Sequence, residues 1–385
     1  MIKERLKNCI TSEPLTTDGK FHRQEELDLA RAIPVFFLPF VHTVIECTPV
    51  DRIYEPIPFF FNIIIGQPLG APMFIFVMGI CIHYANLHTS IDIMKRGLKL
   101  FIAGFLLNIL RFFIPYMIGF LITGEADRYL TPLPYRVFGN DILQFAGLFF
   151  ILLGFLLYHN LSDRMILLIA MIMSLFGSLV RHVDFNNSAL NIIMGHIIGT
   201  EEASDMVMSD FPLMNWFLVP AVGYIFGKYL IRLKDKKTFY SIITPIPFVV
   251  CTAFFIVEYK LEFGQMAVRD TLVQSENCYY HLLWYDAVAL SVFAVSIMGV
   301  YYAIMKVTPA FLKRFIVSLS RNITRVYVIH WFFVVLFTNV ILYVRNKTQE
   351  LPIGPTLLLS ALIFLITYPL ALLWERMSIK KKGNK

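Results

Sequence analysis

The hydrophobic positions of this chain fall into long unbroken runs, separated by shorter stretches that carry most of the charges. Because the hydrocarbon core of a bilayer is about 30 Å thick, a helix needs roughly 20 apolar residues to cross it. A helix also satisfies its backbone polar groups internally, which hydrocarbon requires. The pattern therefore predicts an all-α, polytopic membrane bundle of about ten transmembrane helices, over residues 31–48, 58–83, 98–121, 141–158, 164–181, 211–231, 240–258, 284–305, 324–344 and 355–374.

The composition agrees with a lipid solvent, since 57% of the residues are hydrophobic and only 16% are charged. Soluble domains carry about 25% charged residues, so a soluble protein is excluded. The first apolar run has no small-residue cleavage site, and we interpret it as a span rather than a signal peptide. We expect an N-terminal tail over 1–26, one membrane domain over 27–378 and a basic tail over 379–385.

Most of the 34 Lys and Arg residues fall in alternate connecting segments, beginning with the N-terminal tail. Cytoplasmic loops of membrane proteins are enriched in these residues, so the pattern predicts that both termini are cytoplasmic. The net charge of +7 follows from this asymmetry and is no sign of nucleic-acid binding. The expected partner of the chain is the lipid bilayer, and the sequence leaves open whether it forms a homodimer.

Three ionisable residues share the first predicted span: Arg31, His42 and Glu46. At 1.5 Å per residue, His42 lies about 16 Å above Arg31, and Glu46 lies one turn further on the same face. Charged forms at this depth cost about 2.5 kcal/mol or more, which implies a polar interior. A carboxylate one turn from an imidazole can support a general base. The alternative is a His and a Glu that only hydrogen-bond to neighbouring helices.

The third span adds Arg111 and Asn108. Arg111 reaches about 20 Å above the inner end, close to the height of Glu46. Because an arginine inside a membrane needs an acidic neighbour, we predict an ion pair between Arg111 and Glu46. Asn108, one turn below Arg111, extends the polar surface. Either a structural pair or a substrate-binding pair fits this pattern.

Polar residues near the outer ends of the spans indicate an acidic outer face. Asp141, Asp286 and His281 are the candidates for binding an acceptor. Singly, each is typical of a solvated helix end, but together they suit an acceptor that carries hydroxyl or amino groups, such as a sugar. Other members of this face are Glu201, Glu202, Asp205, Asp210 and Glu258.

Basic loops surround the inner mouth that Arg31 marks, and most of this charge is explained by topology. The remainder suits a phosphorylated cytoplasmic donor, because guanidinium forks match phosphate oxygens. The cations that we assign to the donor besides Arg31 are Arg96, Lys99, Arg321 and Arg325. His330 is either a second pocket histidine or a helix-packing one. No Cys or His spacing predicts a metal site, and Cys47 and Cys278 are near enough to the outer face for a disulfide.

Four motifs resemble a known family. LDLARAIPVFFLPFVHTVIE (27–46) is similar to the first membrane helix of transmembrane acyltransferases, namely the bacterial relatives of heparan-alpha-glucosaminide N-acetyltransferase. It also shares the spacing of Arg, ten residues and His with the acyltransferase-3 group. The resemblance covers about 27–232 and departs from the family at Ala32, where relatives commonly have Gly, and at Pro34 and Pro39. The other motifs are GQPLGAPMFIFVMGICIHYA (66–85), NDILQFAGLFFILLGF (140–155) and DFPLMNWFLVPAVGYIFGK (210–228).

The resemblance implies an acyltransferase of the bacterial cytoplasmic membrane. It would move an acyl group, by expectation acetyl, from cytoplasmic acyl-CoA to a hydroxyl or amine of an extracytoplasmic glycan or other acceptor. His42 would be the general base with Glu46 holding its ring, and Asn108 or Arg111 would stabilise the oxyanion. An acetyl-histidine intermediate is equally open. The rival interpretations are a transporter or flippase for a glycan or organic anion, and a membrane scaffold.

Overall fold

The computed structural model describes residues 2–17, 20–21, 23–49, 52, 55–85, 87, 89–200, 208–261 and 280–383. Within these ranges the chain is helical, apart from a hairpin of two-residue strands, β1 (Thr16–Thr17) and β2 (Lys20–Phe21). The helices are α1 (Ile2–Asn8), α2 (Glu25–Cys47), α3 (Pro56–Phe59), α4 (Ala71–Cys81), α5 (Ser90–Asn108), α6 (Ile114–Thr123), α7 (Ala126–Tyr129), α8 (Leu133–Phe138), α9 (Ile142–Tyr158), α10 (Asp163–Leu179), α11 (Ser188–Met194), α12 (Leu213–Trp216), α13 (Leu218–Leu230), α14 (Lys236–Ile243), α15 (Pro245–Leu261), α16 (Trp284–Val307), α17 (Ala310–Val335), α18 (Tyr343–Asn346) and α19 (Ile353–Gly383). Three π-helical segments extend or connect them, at Phe60–Gly66, Ile109–Phe113 and Leu336–Leu342.

Seven helices in the described ranges are long and apolar enough to cross a membrane. They are Glu25–Cys47, Pro56–Cys81, Ser90–Thr123, Lys236–Leu261, Trp284–Val307, Ala310–Asn346 and Ile353–Ile379. The multi-pass helical membrane fold is therefore confirmed, whereas the count of ten is not. The other three predicted spans are short helices: α9 and α10 have 17 residues each, and the third is divided between α12 and α13 at Phe217.

Both termini lie at one end of the bundle, which we call the inner end. The amide of Thr11 donates a hydrogen bond to the carbonyl of Arg232, which ties the N-terminal tail to the segment before α14. Lys313 of α17 pairs with Glu25 at the start of α2. Asn322 of α17 in turn donates to Glu375 of α19, near the C-terminus. The loops predicted to share one side with the termini are thus close together in space.

The helix that carries His42 is the central element. α2 packs against α4, α16, α17, α19 and the π-helical segment Phe60–Gly66. Pro34 and Pro39 lie inside it, and the helix continues through both to Cys47. Each proline removes a backbone donor, but neither ends the element. Arg31, His42 and Glu46 therefore remain on one helix in the order that the sequence predicts.

Small residues let neighbouring helices approach closely around this centre. A Cβ atom on Gly79 of α4 would meet the carbonyl oxygen of Pro220 in α13, and one on Gly223 would meet that of Phe76. Between α5 and α9, a Cβ atom on Gly97 would lie 2.7 Å from the carbonyl oxygen of Gly147. Close backbone approach at small residues is a common means of packing helices in lipid.

The long outer connection contains a helix of seven residues, α11, which is too short to cross a membrane. Glu201, Glu202 and Asp205 lie outside the described residues. Cys278 does too, so its disulfide with Cys47 stays a prediction.

Candidate active site

A cavity of about 370 Å³ opens beside the outer half of α2. It is lined by His42 and Glu46 of α2, by Asn62 and Gln67 of the second span, and by Arg111 of the third. Further lining residues used below are Pro34, Gly66, Phe74, Tyr116, Arg136, Asp141, Asp210, Phe211, Tyr280, Tyr327, Trp331 and Asn339. The polar residues of three predicted spans therefore share one space.

Each of the three π-helical segments supplies a polar side chain to this cavity: Asn62, Arg111 and Asn339. An inserted residue widens the helical turn, and such bulges are frequent at functional sites. They also change which residues face inward, so a strict 3.6-residue repeat would misplace these side chains. The cavity is thus built where the helices depart from regular geometry.

The imidazole of His42 is partly exposed to the cavity. Its ring centroid lies 4.0 Å from that of Trp331 and 5.4 Å from that of His330. No hydrogen bond involves His42 within the described part of the chain, and none joins it to Glu46. The carboxylate of Glu46 accepts instead from the amide of Asn339, at 3.2 Å. The ring is held by aromatic neighbours and keeps its nitrogen atoms for a ligand.

The predicted ion pair between Arg111 and Glu46 is wrong. Arg111 is 1% exposed and pairs with Asp141, at 2.6 Å between Nη1 and Oδ2. Its guanidinium lies between the rings of Phe112 and Trp331, 4.5 Å and 4.6 Å from their centroids. The height of Arg111 along its span had indicated Glu46 as the partner. The packing of α5 on α9 instead brings the start of α9 next to Arg111.

Among the carboxylates that line the cavity, Asp141 has the most polar partners in the described part of the chain. It precedes α9, and its Oδ1 accepts the amide proton of Ile142, as helix-capping acids do. Its Oδ2 accepts from Arg111 and from the hydroxyl of Tyr327 at 3.2 Å. Asp141 therefore lines the predicted acceptor region, but its oxygen atoms already have partners.

Asn108, the other predicted oxyanion donor, does not line the cavity. It is fully buried, and its Nδ2 donates to the carbonyls of Val137 and Gly139 at 3.1 Å and 3.2 Å. These bonds hold α8 and the segment after it against the third span. Asn108 thus has a structural position in this conformation.

Of the remaining candidates near the outer end, some line the cavity and others do not. His281 is 4% exposed, hydrogen-bonds through Nε2 to the carbonyl of Ser209, and does not line the cavity. Asp286 is fully buried in the first turn of α16 and is also absent from the lining. Asp210 does line the cavity. Burial, followed by the nearby charge of Asp141, raises the pKa of Asp210 to about 7.

Arg31 lies at the inner end of α2, below Pro34, the innermost residue of α2 in the cavity lining. Its guanidinium contacts the thiol of Cys81 at 2.6 Å, and none of the ion pairs formed within the described ranges involves it. A second cavity, of about 590 Å³, lies close by at the start of α2. Its basic lining residues are Arg23, Lys234, Lys236, Lys237 and Lys306, and its acidic ones are Glu25, Glu26 and Asp235.

The other cations assigned to the donor are not gathered at this place. Arg96 and Lys99 are exposed on α5, which packs against α9, and neither lines one of these two cavities. Arg321 is exposed on α17, and Arg325 donates to Asn322 at 2.9 Å. Three of the five basic residues that line the inner cavity lie around the start of α14: Lys234 just before it, and Lys236 and Lys237 in its first turn.

His330 is fully buried between His42 and Tyr327, with ring centroids 5.4 Å and 5.6 Å away. Its Nδ1 hydrogen-bonds to the carbonyl of Val326. It does not line the cavity, yet it supports the ring that does. Trp331, which the sequence did not single out, contacts both His42 and Arg111.

A comparison of the sequence with protein-family models gives a match over the region that contains most of this site. Residues 23–262 match the family model described as heparan-alpha-glucosaminide N-acetyltransferase, catalytic. The chain belongs to this family. Membership in the heparan-alpha-glucosaminide N-acetyltransferase family implies a membrane acetyltransferase, and it confirms the resemblance that the sequence motifs carry. No curated protein and no solved structure matches the chain significantly.

The family match extends from α2 to α15, so it includes Arg31, His42, Glu46, Arg111 and Asp141. His330, Trp331 and Asn339 lie beyond it, on the sixth of the seven long spans given above, Ala310–Asn346. The heparan-alpha-glucosaminide N-acetyltransferase region thus supplies the ionisable residues of the cavity, and the C-terminal helices supply the aromatic wall next to His42.

Proposed function

We propose that the chain transfers an acetyl group from acetyl-CoA at the inner end of the bundle to a hydroxyl or amine of a sugar that enters from the outer end. The observation that carries the proposal is the imidazole of His42, which faces the outer cavity without a hydrogen-bond partner in the described part of the chain. A general base needs such an accessible nitrogen. The family match supports the reaction class.

The electrostatics of the two ends support the assignment of donor and acceptor. The inner cavity contains five Lys or Arg side chains and three acidic ones, which suits an anionic donor such as the phosphates of CoA. Arg31 lies on α2 between the residues that line the two cavities. Its only hydrogen-bond partner among the described residues is the thiol of Cys81, so it can meet an anion. We take the inner end as the cytoplasmic one, in agreement with the placement of Lys and Arg.

The chemical step follows from these positions. A ring nitrogen of His42 accepts the proton of the acceptor hydroxyl or amine while the oxygen or nitrogen attacks the thioester carbon. The carbonyl π electrons move to the oxygen, and Arg111, one of two arginines in the cavity lining with Arg136, favours this charge. When the intermediate collapses, the C–S bond breaks, and the imidazolium returns the proton to the leaving thiolate of CoA.

The role of Glu46 in this scheme is indirect. Its carboxylate is fixed by Asn339, which is itself held by Gln349 at 2.6 Å. A negative charge one turn outward from His42 stabilises the imidazolium that forms during transfer. The transporter or flippase alternative has no comparable support, because the matching family model is that of a catalytic region.

The experiment that tests the proposal compares acetyl-CoA turnover by the wild type with that of His42→Ala, using the full chain in nanodiscs and D-glucosamine as the acceptor. Loss of a general base lowers turnover about 10²- to 10⁴-fold, while acetyl-CoA binding is expected to persist. His159→Ala is the matched control, because His159 is exposed at the end of α9 outside the cavity. Equal turnover by His42→Ala and His159→Ala would remove His42 from this role.

A further inference from the structure

Two side-chain amides of the outer cavity have no role in the acyl transfer described above. Asn62 and Gln67 belong to the second span and are 9% and 4% exposed. Both amide atoms of Asn62 and the Oε1 atom of Gln67 lack hydrogen-bond partners among the described residues. Nearly all buried polar side chains in folded proteins are hydrogen-bonded, so exceptions indicate a place for a ligand or water.

Along the membrane normal, one of these amides lies near the level of His42 and the other lies on its acceptor side. The second span runs inward, since Cys81 at its end contacts Arg31. A Cβ atom on Gly66 would lie 3.3 Å from Cγ1 of Val41, the residue before His42. Gln67 is therefore near the level of His42, and Asn62 is about one turn further outward.

The local backbone holds these amides in place. Asn62 belongs to the π-helical segment Phe60–Gly66, and Gln67 follows it in the non-helical connection to α4. Gly70 ends this connection, and a Cβ atom there would collide with the carbonyl oxygen of Gly66. The motif that begins GQPLG thus encodes a break in the span at the height of the predicted base. Regular helix is interrupted within membranes where the backbone lines a cavity.

The chemistry of the amides selects among ligands. The amide of Asn62 offers a donor and an acceptor, and Gln67 offers an acceptor, whereas a thioester carbonyl can only accept. A hydroxyl group both donates and accepts, so neighbouring hydroxyls can satisfy all three atoms. Aromatic side chains of the same cavity lining, Phe74 and Tyr116 among them, provide apolar surface for the faces of a ring.

We propose that Asn62 and Gln67 bind the acceptor, through hydroxyl groups next to the attacking atom, and thereby hold that atom at His42. The inference rests on the proposed function, and it names the residues that distinguish a polyhydroxylated acceptor from water. Acetyl-CoA hydrolysis, in which water is the acceptor, does not need these contacts. Transfer to a sugar does.

The test measures both reactions in Asn62→Leu, Gln67→Leu and the double variant, as full-length proteins in nanodiscs with acetyl-CoA. Leucine is similar in size and satisfies the apolar surroundings, so folding is expected to be retained. We expect the KM for D-glucosamine to rise about tenfold in each single variant, as a lost hydrogen bond predicts. We expect acetyl-CoA hydrolysis and the acetylation of cyclohexylamine, an amine without hydroxyls, to stay within twofold of wild type.

Asn346→Leu is the matched control, because Asn346 is exposed at the end of α18 and outside the cavity. An unchanged KM for D-glucosamine overturns the inference. A parallel loss of hydrolysis and transfer also overturns it, since the amides would then act on the thioester. His42-dependent hydrolysis without any acetylation of D-glucosamine overturns the acceptor site but not the role of His42. Absence of His42-dependent turnover in the wild type overturns the proposed function itself.

Discussion

At the residue scale, the ion pair between Arg111 and Asp141 shows what depth along a helix can and cannot predict. Counting residues gave the correct height for Arg111 and the correct requirement for an acid. It could not give the direction in which the side chain points, and Asp141 rather than Glu46 meets it. The same limit applies to Asn108, whose partners are backbone carbonyls that no residue count identifies.

The buried pair gives a stability prediction. Asp141→Asn leaves the guanidinium of Arg111, which is 1% exposed, without a countercharge. Breaking a buried pair in this way costs about 3–5 kcal/mol. Thermal unfolding in detergent should show a large decrease in melting temperature, and combining Arg111→Met with Asp141→Leu should recover much of it.

The control for this prediction is the pair of Lys228 and Asp163, whose side chains are 38% and 29% exposed. Surface pairs contribute about 1 kcal/mol or less, so Asp163→Asn should change the melting temperature little. Similar effects of Asp141→Asn and Asp163→Asn would contradict the account of Arg111.

Asp210 gives a pH-dependent prediction. Its pKa is about 7 in the folded chain, against an ordinary value of 3.8, because of burial and then of Asp141. Between these values the folded state binds more protons than the unfolded state, so stability falls as the pH rises from about 4 to about 7. Asp210→Asn removes this loss.

The measurement is the melting temperature of the wild type and Asp210→Asn at pH 4.5 and at pH 8. The variant should be clearly more stable at pH 8 and close to wild type at pH 4.5. An equal difference at both pH values would mean that the ionisation of Asp210 is not the cause.

At the element scale, hydropathy identified the long spans well, because seven described helices are apolar over more than 18 residues. It could not separate full spans from α9, α10 and α13, which are apolar but shorter. Nor could it identify the π-helical segments, because nothing in the residue types around Asn62, Arg111 or Asn339 marks a widened turn. Pro34 and Pro39 lie inside α2, and the helix continues past both.

Close helix packing gives the prediction at this scale. Gly79→Ala would place a methyl group against the backbone of Pro220, which cannot rotate away as a side chain can. Overpacking of this kind costs about 1–3 kcal/mol. The melting temperature of Gly79→Ala should therefore fall.

Gly354→Ala serves as its control, because a Cβ atom at Gly354 meets no atom within 4 Å. This substitution lies in α19 and should be neutral or stabilising by up to about 1 kcal/mol. If Gly79→Ala were as well tolerated as Gly354→Ala, the contact between α4 and α13 would be looser than described.

At the scale of the whole molecule, charge placement predicted which segments lie together. The N-terminal tail, the segment before α14 and the start of α17 meet at the inner end.

The orientation of the chain relative to the membrane is a further prediction. A membrane-impermeant maleimide should label Glu350→Cys from outside the cell and label Asn160→Cys only after permeabilisation, with the unsubstituted protein as the background. The reverse pattern would invert the donor and acceptor ends.

The sequence predicted the position of the general base more accurately than the side chains that contact it. His42 lines the cavity as predicted, but the aromatic wall that fixes it comes from residues about 290 positions later, beyond the reach of local patterns. Trp331 and Asn339 could only be assigned once the helices were packed. The site is therefore a property of the assembled bundle: the sequence identified ionisable residues of its lining, such as His42, Arg111 and Asp141, but not its aromatic wall.

The most direct test of the central claim is transfer across a bilayer. Proteoliposomes would hold labelled acetyl-CoA on the inner-end side of the protein and D-glucosamine on the opposite side. The account predicts labelled N-acetylglucosamine on the acceptor side with the wild type and a loss of at least about 100-fold with His42→Ala. Undiminished transfer by His42→Ala, or product confined to the donor side, would contradict it.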